Sequence, residues 1–184
     1  MRAFIAIDLE AGLKKTLQGL IRELKATGAD IRWTQTGGLH LTLMFLGEID
    51  EGQAGVVKRA LEDVAGRHAQ FSLRLEGTGA FPGGQRPRVL WAGFGEAPEL
   101  LALQADLDKE LEGEGFAREE RAFHPHLTLG RVKGPDRVRD ALRELEKHSQ
   151  DNLGNMTVRQ VTFFESRLRP EGAEYHVIAE FKLS

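Results

Sequence analysis

His40-Leu41-Thr42-Leu43 recurs residue for residue as His126-Leu127-Thr128-Leu129, 86 positions later in a chain of 184 residues. One tetrapeptide can repeat by chance, so the test is whether its surroundings repeat at the same offset. The apolar run from Ala3 to Leu9 reads as a buried strand, and the shift carries Ala3 onto Val89, inside the apolar run 88–94. Residues 11–27 place Leu13, Leu17, Leu20, Ile21 and Leu24 at helical spacing, with Gly28 as the stop. Leu13 maps onto Glu99, in a second helical stretch, 98–112, that carries Leu100, Leu103, Leu107 and Leu111 on one face. Helix 51–67 maps onto helix 135–148, and the alternating strand that opens at Phe71 maps onto a strand over 156–166. Short strands at 31–33 and 39–46, a Gly/Pro-rich loop at 82–87, and a last strand at 175–183 after a turn at Pro170–Gly172 complete the pattern. Two copies are too few for a solenoid. The expectation is an α+β protein of two duplicated β-α-β-α-β lobes facing each other, one domain over 1–184 with repeat-related halves 1–86 and 87–184.

Composition narrows the function classes. The chain has no cysteine, which excludes disulfides, zinc–thiolate sites and cysteine nucleophiles and makes a cytoplasmic location the expectation. Asp8 and Glu10 interrupt the N-terminal apolar run too early for a signal peptide, and no stretch is long and apolar enough for a membrane span. Net charge is −3, split as +1 over 1–86 and −4 over 87–184, which argues against a long groove for duplex nucleic acid. It leaves room for a small anion held by a few local donors. The 17 arginines and 8 lysines scatter among acids and read as solvated faces.

The chemistry sits in the repeat. Alternate residues of a strand face the same way, so His40 and Thr42 share one side while Leu41 and Leu43 share the other. His126 and Thr128, against Leu127 and Leu129, repeat the arrangement. Burying the leucines turns two imidazoles and two hydroxyls toward one cavity between the lobes. Imidazole exchanges protons near neutrality, and a pair flanking a substrate can act as base and acid in an in-line displacement. Threonine hydroxyls can donate to the oxygens of a tetrahedral anion, and Arg131, five residues after His126, can clamp it. A rival reading takes His124-Pro125-His126 as a metal pair, but no acidic residue lies in that strand or next to His40 in the sequence. His68, His148 and His176 read as solvated. Trp33, Phe45 and Trp91 could stack on a base, although Trp91, inside an apolar run, reads as core.

Leu39-His40-Leu41-Thr42-Leu43-Met44-Phe45-Leu46-Gly47-Glu48, Pro87-Arg88-Val89-Leu90-Trp91 and Pro125-His126-Leu127-Thr128-Leu129-Gly130-Arg131 together resemble the RNA 2′,3′-cyclic phosphodiesterase family. That family was first named for 2′-5′ RNA ligase activity and belongs to the two-histidine phosphoesterase superfamily. The resemblance implies largely antiparallel sheets around a central cleft, and metal-independent, cofactor-free hydrolysis of a terminal 2′,3′-cyclic phosphate to a 2′-phosphate, with ligation as a weak side activity. It implies a catalytic pair His40 and His126, phosphate donors Thr42 and Thr128, and phosphate binding by Arg131. By analogy His126 is cast as the base and His40 as the acid. The partner implied is RNA with a terminal cyclic phosphate, met by a monomer. Alternatives are a phosphodiesterase of small cyclic nucleotides or 2′-5′-linked oligonucleotides, and a non-catalytic RNA-end-binding module.

Overall fold

The computed structural model describes residues 1–84 and 86–184; Gln85, in the loop expected at 82–87, lies outside them. Strands and helices follow in the order β1 Arg2–Asp8, α1 Ala11–Lys25, β2 Ile31–Trp33, β3 His40–Glu48, α2 Glu51–Gly66, β4 Phe71–Phe81 and β5 Val89–Phe94. Then come α3 Pro98–Gly113, β6 His126–Val132, α4 Val138–Glu146, β7 Asn152–Val158, β8 Gln160–Arg169 and β9 Gly172–Lys182. Local chemistry sets the helix ends. Asp50 caps α2 by accepting from Gln53 N at 2.8 Å while the Gln53 side chain accepts from Asp50 N at 3.0 Å, a reciprocal capping box. Pro98 opens α3, where its missing N–H costs nothing. No described helix is long and apolar enough to cross a membrane.

The strands form a four-stranded sheet, β3-β1-β8-β9, and a five-stranded sheet, β2-β6-β5-β4-β7, with antiparallel pairing throughout the described residues. Helices α2 and α3 pack together over the first sheet, and α1 and α4 over the second. Leucines at helical spacing on α1 (Leu13, Leu17, Leu24) and α3 (Leu100, Leu103, Leu107) are at most 4% exposed and join one continuous core with Leu41, Leu43, Leu127 and Leu129. The opposite sheet faces are left free for a cleft.

The expected α+β architecture with antiparallel sheets is present, but the sheets do not divide at 86/87. Strand β1 lies between β3 and β8, and β5 lies between β6 and β4. The offset of 86 maps β1 onto β5, β3 onto β6, and Phe81, at the end of β4, onto Arg167 in β8. Each copy of the repeat therefore hands its last strand to the other copy's sheet. A sequence offset identifies equivalent strands without saying which edge each will join. A second difference follows. The alternating run 156–166 is not one strand but parts of β7 and β8, in different sheets, separated at Arg159, whose carbonyl accepts from Leu183 N at 2.9 Å.

Candidate active site

On β3 and β6 the alternation holds through the tetrapeptide. Leu41, Leu43, Leu127 and Leu129 lie in the core, His40, Thr42 and Thr128 are half-buried, and His126 is exposed. It then breaks in the same way on both strands. Thr42 pairs with Ala6 and Met44 with Ile5, so Leu43 is extra; Thr128 pairs with Trp91 and Gly130 with Leu90, so Leu129 is extra. These are β-bulges, and each puts two consecutive residues into the core. The consequence is chemical. Five residues separate His126 from Arg131, which in a regular strand would place them on opposite faces. The bulge restores the phase, and Arg131 returns to the side of His126 and Thr128. Phe45 returns in the same way to the side of His40 and Thr42.

Cross-strand register then gives the rows of the open face. On the five-stranded sheet His126 stands beside Gly93, Thr128 beside Trp91, and Arg131 between Arg32 and Val89. On the four-stranded sheet His40 stands beside Asp8, Thr42 beside Ala6, and Phe45 beside Phe4. A strap ties the two together. After β2 pairs with β6, Thr34 Oγ1 donates to the Thr128 carbonyl at 2.8 Å and Thr34 N to the Leu129 carbonyl at 2.9 Å. A short 3-10 turn, Thr36–Gly38, then leads directly into His40. Strands β3 and β6 approach each other where the sheets meet.

Each imidazole is held by a carbonyl just upstream of it. His126 Nδ1 donates to the His124 carbonyl at 2.7 Å, leaving Nε2 free. His40 makes a backbone hydrogen bond to Gly37 in the 3-10 turn. Their surroundings differ. His40 stacks on Phe4 (ring centroids 4.9 Å apart) and Phe164 (5.5 Å) and meets Tyr175 edge-on (5.0 Å). Burial in this aromatic box lowers its pKa to about 4, despite opposing contributions from Asp8 and the Gly37 hydrogen bond. Asp8 itself is paired with Lys14 at 2.8 Å.

The family described as the 2′-5′ RNA ligase superfamily matches residues 13–169 of this sequence. The chain belongs to that superfamily. Among curated relatives, an RNA 2′,3′-cyclic phosphodiesterase of Methanothermobacter thermautotrophicus is 38% identical across 100% of this chain and 99% of its own. One of Archaeoglobus fulgidus is 33% identical across 99% and 100%. Among solved structures, a Thermus thermophilus protein, TT0787, superposes with a TM-score of 0.84 at 28% identity, covering 100% of this chain and 98% of its own. Escherichia coli LigT complexed with 3′-AMP superposes at 0.73 and 27% identity, covering 100% and 98%.

Within this superfamily member, the five residues singled out by sequence, His40, Thr42, His126, Thr128 and Arg131, all lie on the open faces of the two motif strands. Others there were missed or misread. Trp91 is not core: it is half-buried on the open face, its indole lying over Gly79, where an added Cβ would come within 2.2 Å of the ring. An apolar run does not reveal which of its faces a cleft will use. Asp8, Phe4, Phe164 and Tyr175 come from strands distant in sequence and carry no local signal. His124 supplies its carbonyl. His68, His148 and His176 are paired rather than simply solvated: His68 with Asp106 at 2.7 Å, His148 with Asp151 and Glu23, and His176 with Glu174 at 2.9 Å.

Proposed function

We propose that this protein hydrolyses the terminal 2′,3′-cyclic phosphate of RNA to a 2′-phosphate without a metal ion, through His40 and His126. The observation that carries this is the twin bulge: it gathers imidazole, hydroxyl and guanidinium onto one face of β6, opposite an imidazole and hydroxyl on β3. The names of the relatives point to the same substrate. Thr42, Thr128 and Arg131 hold the non-bridging oxygens, where charge builds as water attacks phosphorus. Phe45, 78% exposed beside Phe4, offers the terminal base a stacking surface.

The step balances as an in-line displacement. One histidine accepts a proton from water as its oxygen bonds to phosphorus; the other gives a proton to the 3′-oxygen as the P–O3′ bond breaks. The environments favour His40 as the base. With a pKa of about 4, only about one His40 in 10³ carries a proton at pH 7, too few for an efficient acid. His126, exposed and donating Nδ1–H to a carbonyl, takes the acid role, the reverse of the assignment by analogy.

The test is an RNA oligomer ending in a 2′,3′-cyclic phosphate, incubated with the protein in excess chelator and resolved for 2′- and 3′-phosphate. The expected product is the 2′-phosphate, with His40→Ala and His126→Ala each slowing the reaction by about 10²–10⁴-fold while remaining folded. Full activity in either variant refutes the two-histidine mechanism, and loss of activity with chelator points to the metal alternative.

A further inference from the structure

The row of the five-stranded sheet that holds Arg131 ends at Phe81, on the rim of a groove. Register sets Arg32, Arg131, Val89 and Phe81 side by side across β2, β6, β5 and β4. Phe81 is 69% exposed. The groove beyond it, about 470 Å³, is lined by Phe81, Pro82, Arg86, Arg88, Val132 and Lys133, with no carboxylate among the described lining residues. Its walls are fixed by backbone: Arg88 N donates to the Phe81 carbonyl and Val132 N to the Arg88 carbonyl, both at 2.8 Å.

The cations that line the groove are open, where several others on the chain are held by acids. Arg67, Arg74, Arg118, Arg143, Arg159, Arg167 and Arg169 each sit within 4 Å of an acidic side chain. Among the described residues, Arg86, Arg88 and Lys133 form no such pair, and all three are exposed. Asp30, whose carboxylate lies beside Gly134, is an acid at the margin. In a protein of net charge −3, open cations next to an exposed aromatic ring are suited to an anionic, base-bearing ligand.

Resting on the reading of His40 and His126 given above, we infer that this groove holds the phosphodiester and base of the nucleotide on the 5′ side of the reacting terminus. The substrate class is then an RNA strand rather than a free cyclic nucleotide. From His126 to Lys133 the strand runs roughly 20 Å, enough for the terminal nucleotide and the one before it. An acidic peptide would also meet cations here, but the row that holds Arg131 ends at Phe81 on the rim of this groove, and Phe81 offers a ring for a base.

The experiment compares two substrates, a trinucleotide ending in 2′,3′-cyclic phosphate and a 2′,3′-cyclic mononucleotide, in wild type, Arg86→Ala/Lys133→Ala and Phe81→Ala. For the double variant the expected result is a fall of about tenfold in kcat/KM on the trinucleotide. The slope of log kcat/KM against log salt should become shallower by about 1.4. Phe81→Ala should lower the trinucleotide value without changing the slope. The mononucleotide rate should stay constant in both, which also reports that the variants are folded. Equal losses on both substrates, or no loss on the trinucleotide, overturn the inference. If wild type turns over neither substrate, the hydrolase reading fails by itself, and the groove is judged by fluorescence anisotropy of a labelled single-stranded RNA. Weaker binding by the double variant then supports the groove; unchanged binding, or displacement of the RNA by an acidic peptide at equal concentration, overturns it.

Discussion

The ring of His40 lies against Phe4, Phe164 and Tyr175, while His126, followed by the same Leu-Thr-Leu, is open to water. Desolvation penalises the charged form of His40, so its proton should leave far below the usual histidine range. Followed by NMR, the His40 ring should titrate with a midpoint of about 4, and Phe164→Leu should move that midpoint upward. A midpoint near 6.5 in wild type would remove the ground for making His40 the base. The same shift has a stability consequence with a definite sign. The folded pKa is below the unfolded one, so this contribution is complete above about 6.5 and is lost as pH falls toward 4. The rate supplies a further check. A His40 acid would make kcat/KM decline as pH rises above about 4, whereas a His40 base sustains it through that range.

Among the elements, the bulged strand β6 bears most directly on the chemistry. An added Cβ on Gly130 would meet Ile31 Cγ2 at 2.6 Å and Trp33 Cε3 at 2.8 Å, both on β2. Gly130→Ala should therefore push β2 away, costing about 1–3 kcal/mol by chemical denaturation, and should lower activity because the strap to His40 begins on β2. A variant of wild-type stability and rate would contradict this role for the bulge. Sequence periodicity sufficed for the helices and for the faces of the residues within the two tetrapeptides. It did not show the bulges, because a bulge is a relation to β1 or β5 rather than a property of β3 or β6 alone. Arg131 accordingly shares the face of His126 for a reason the strand period alone would have denied. The aromatic box was out of reach for a similar cause: residues 4, 164 and 175 are brought together only by sheet order. Another junction joins α1 to the segment after α4, where His148 meets Asp151 at 2.7 Å and Glu23 at 3.2 Å. Burial lowers its pKa, but the two carboxylates outweigh that and raise it overall. A raised pKa contributes stability that is complete below about 6.5 and fades as pH climbs through the folded value. The Tm difference between wild type and His148→Gln should narrow from pH 6 to pH 8.5.

For the whole molecule, each sheet depends on strands from both halves of the chain, and in the four-stranded one β1, at residues 2–8, is completed by β8, at 160–169. The sheets should therefore unfold together. Trp33 and Trp91 report on the five-stranded sheet and the His40 NMR signal on the four-stranded one. In a denaturant titration their transitions should coincide; two separated midpoints would mean that the sheets are independent units. Such long-range pairing also predicts slow folding, since β1 must wait for a strand more than 150 residues away. Traded strands have one more consequence. Two separate chains exchanging strands across a dyad could build a similar cleft, but symmetry would force its two imidazoles to share one environment and one affinity for protons. Carrying both copies on a single chain lifts that constraint. One side holds Asp8, Ala6 and Phe45 around a sheltered ring; the other holds Gly93, Trp91 and Arg131 around an open one. Covalent fusion thus permits a difference between the two sides that a symmetric pair cannot have, one ring sheltered and the other open.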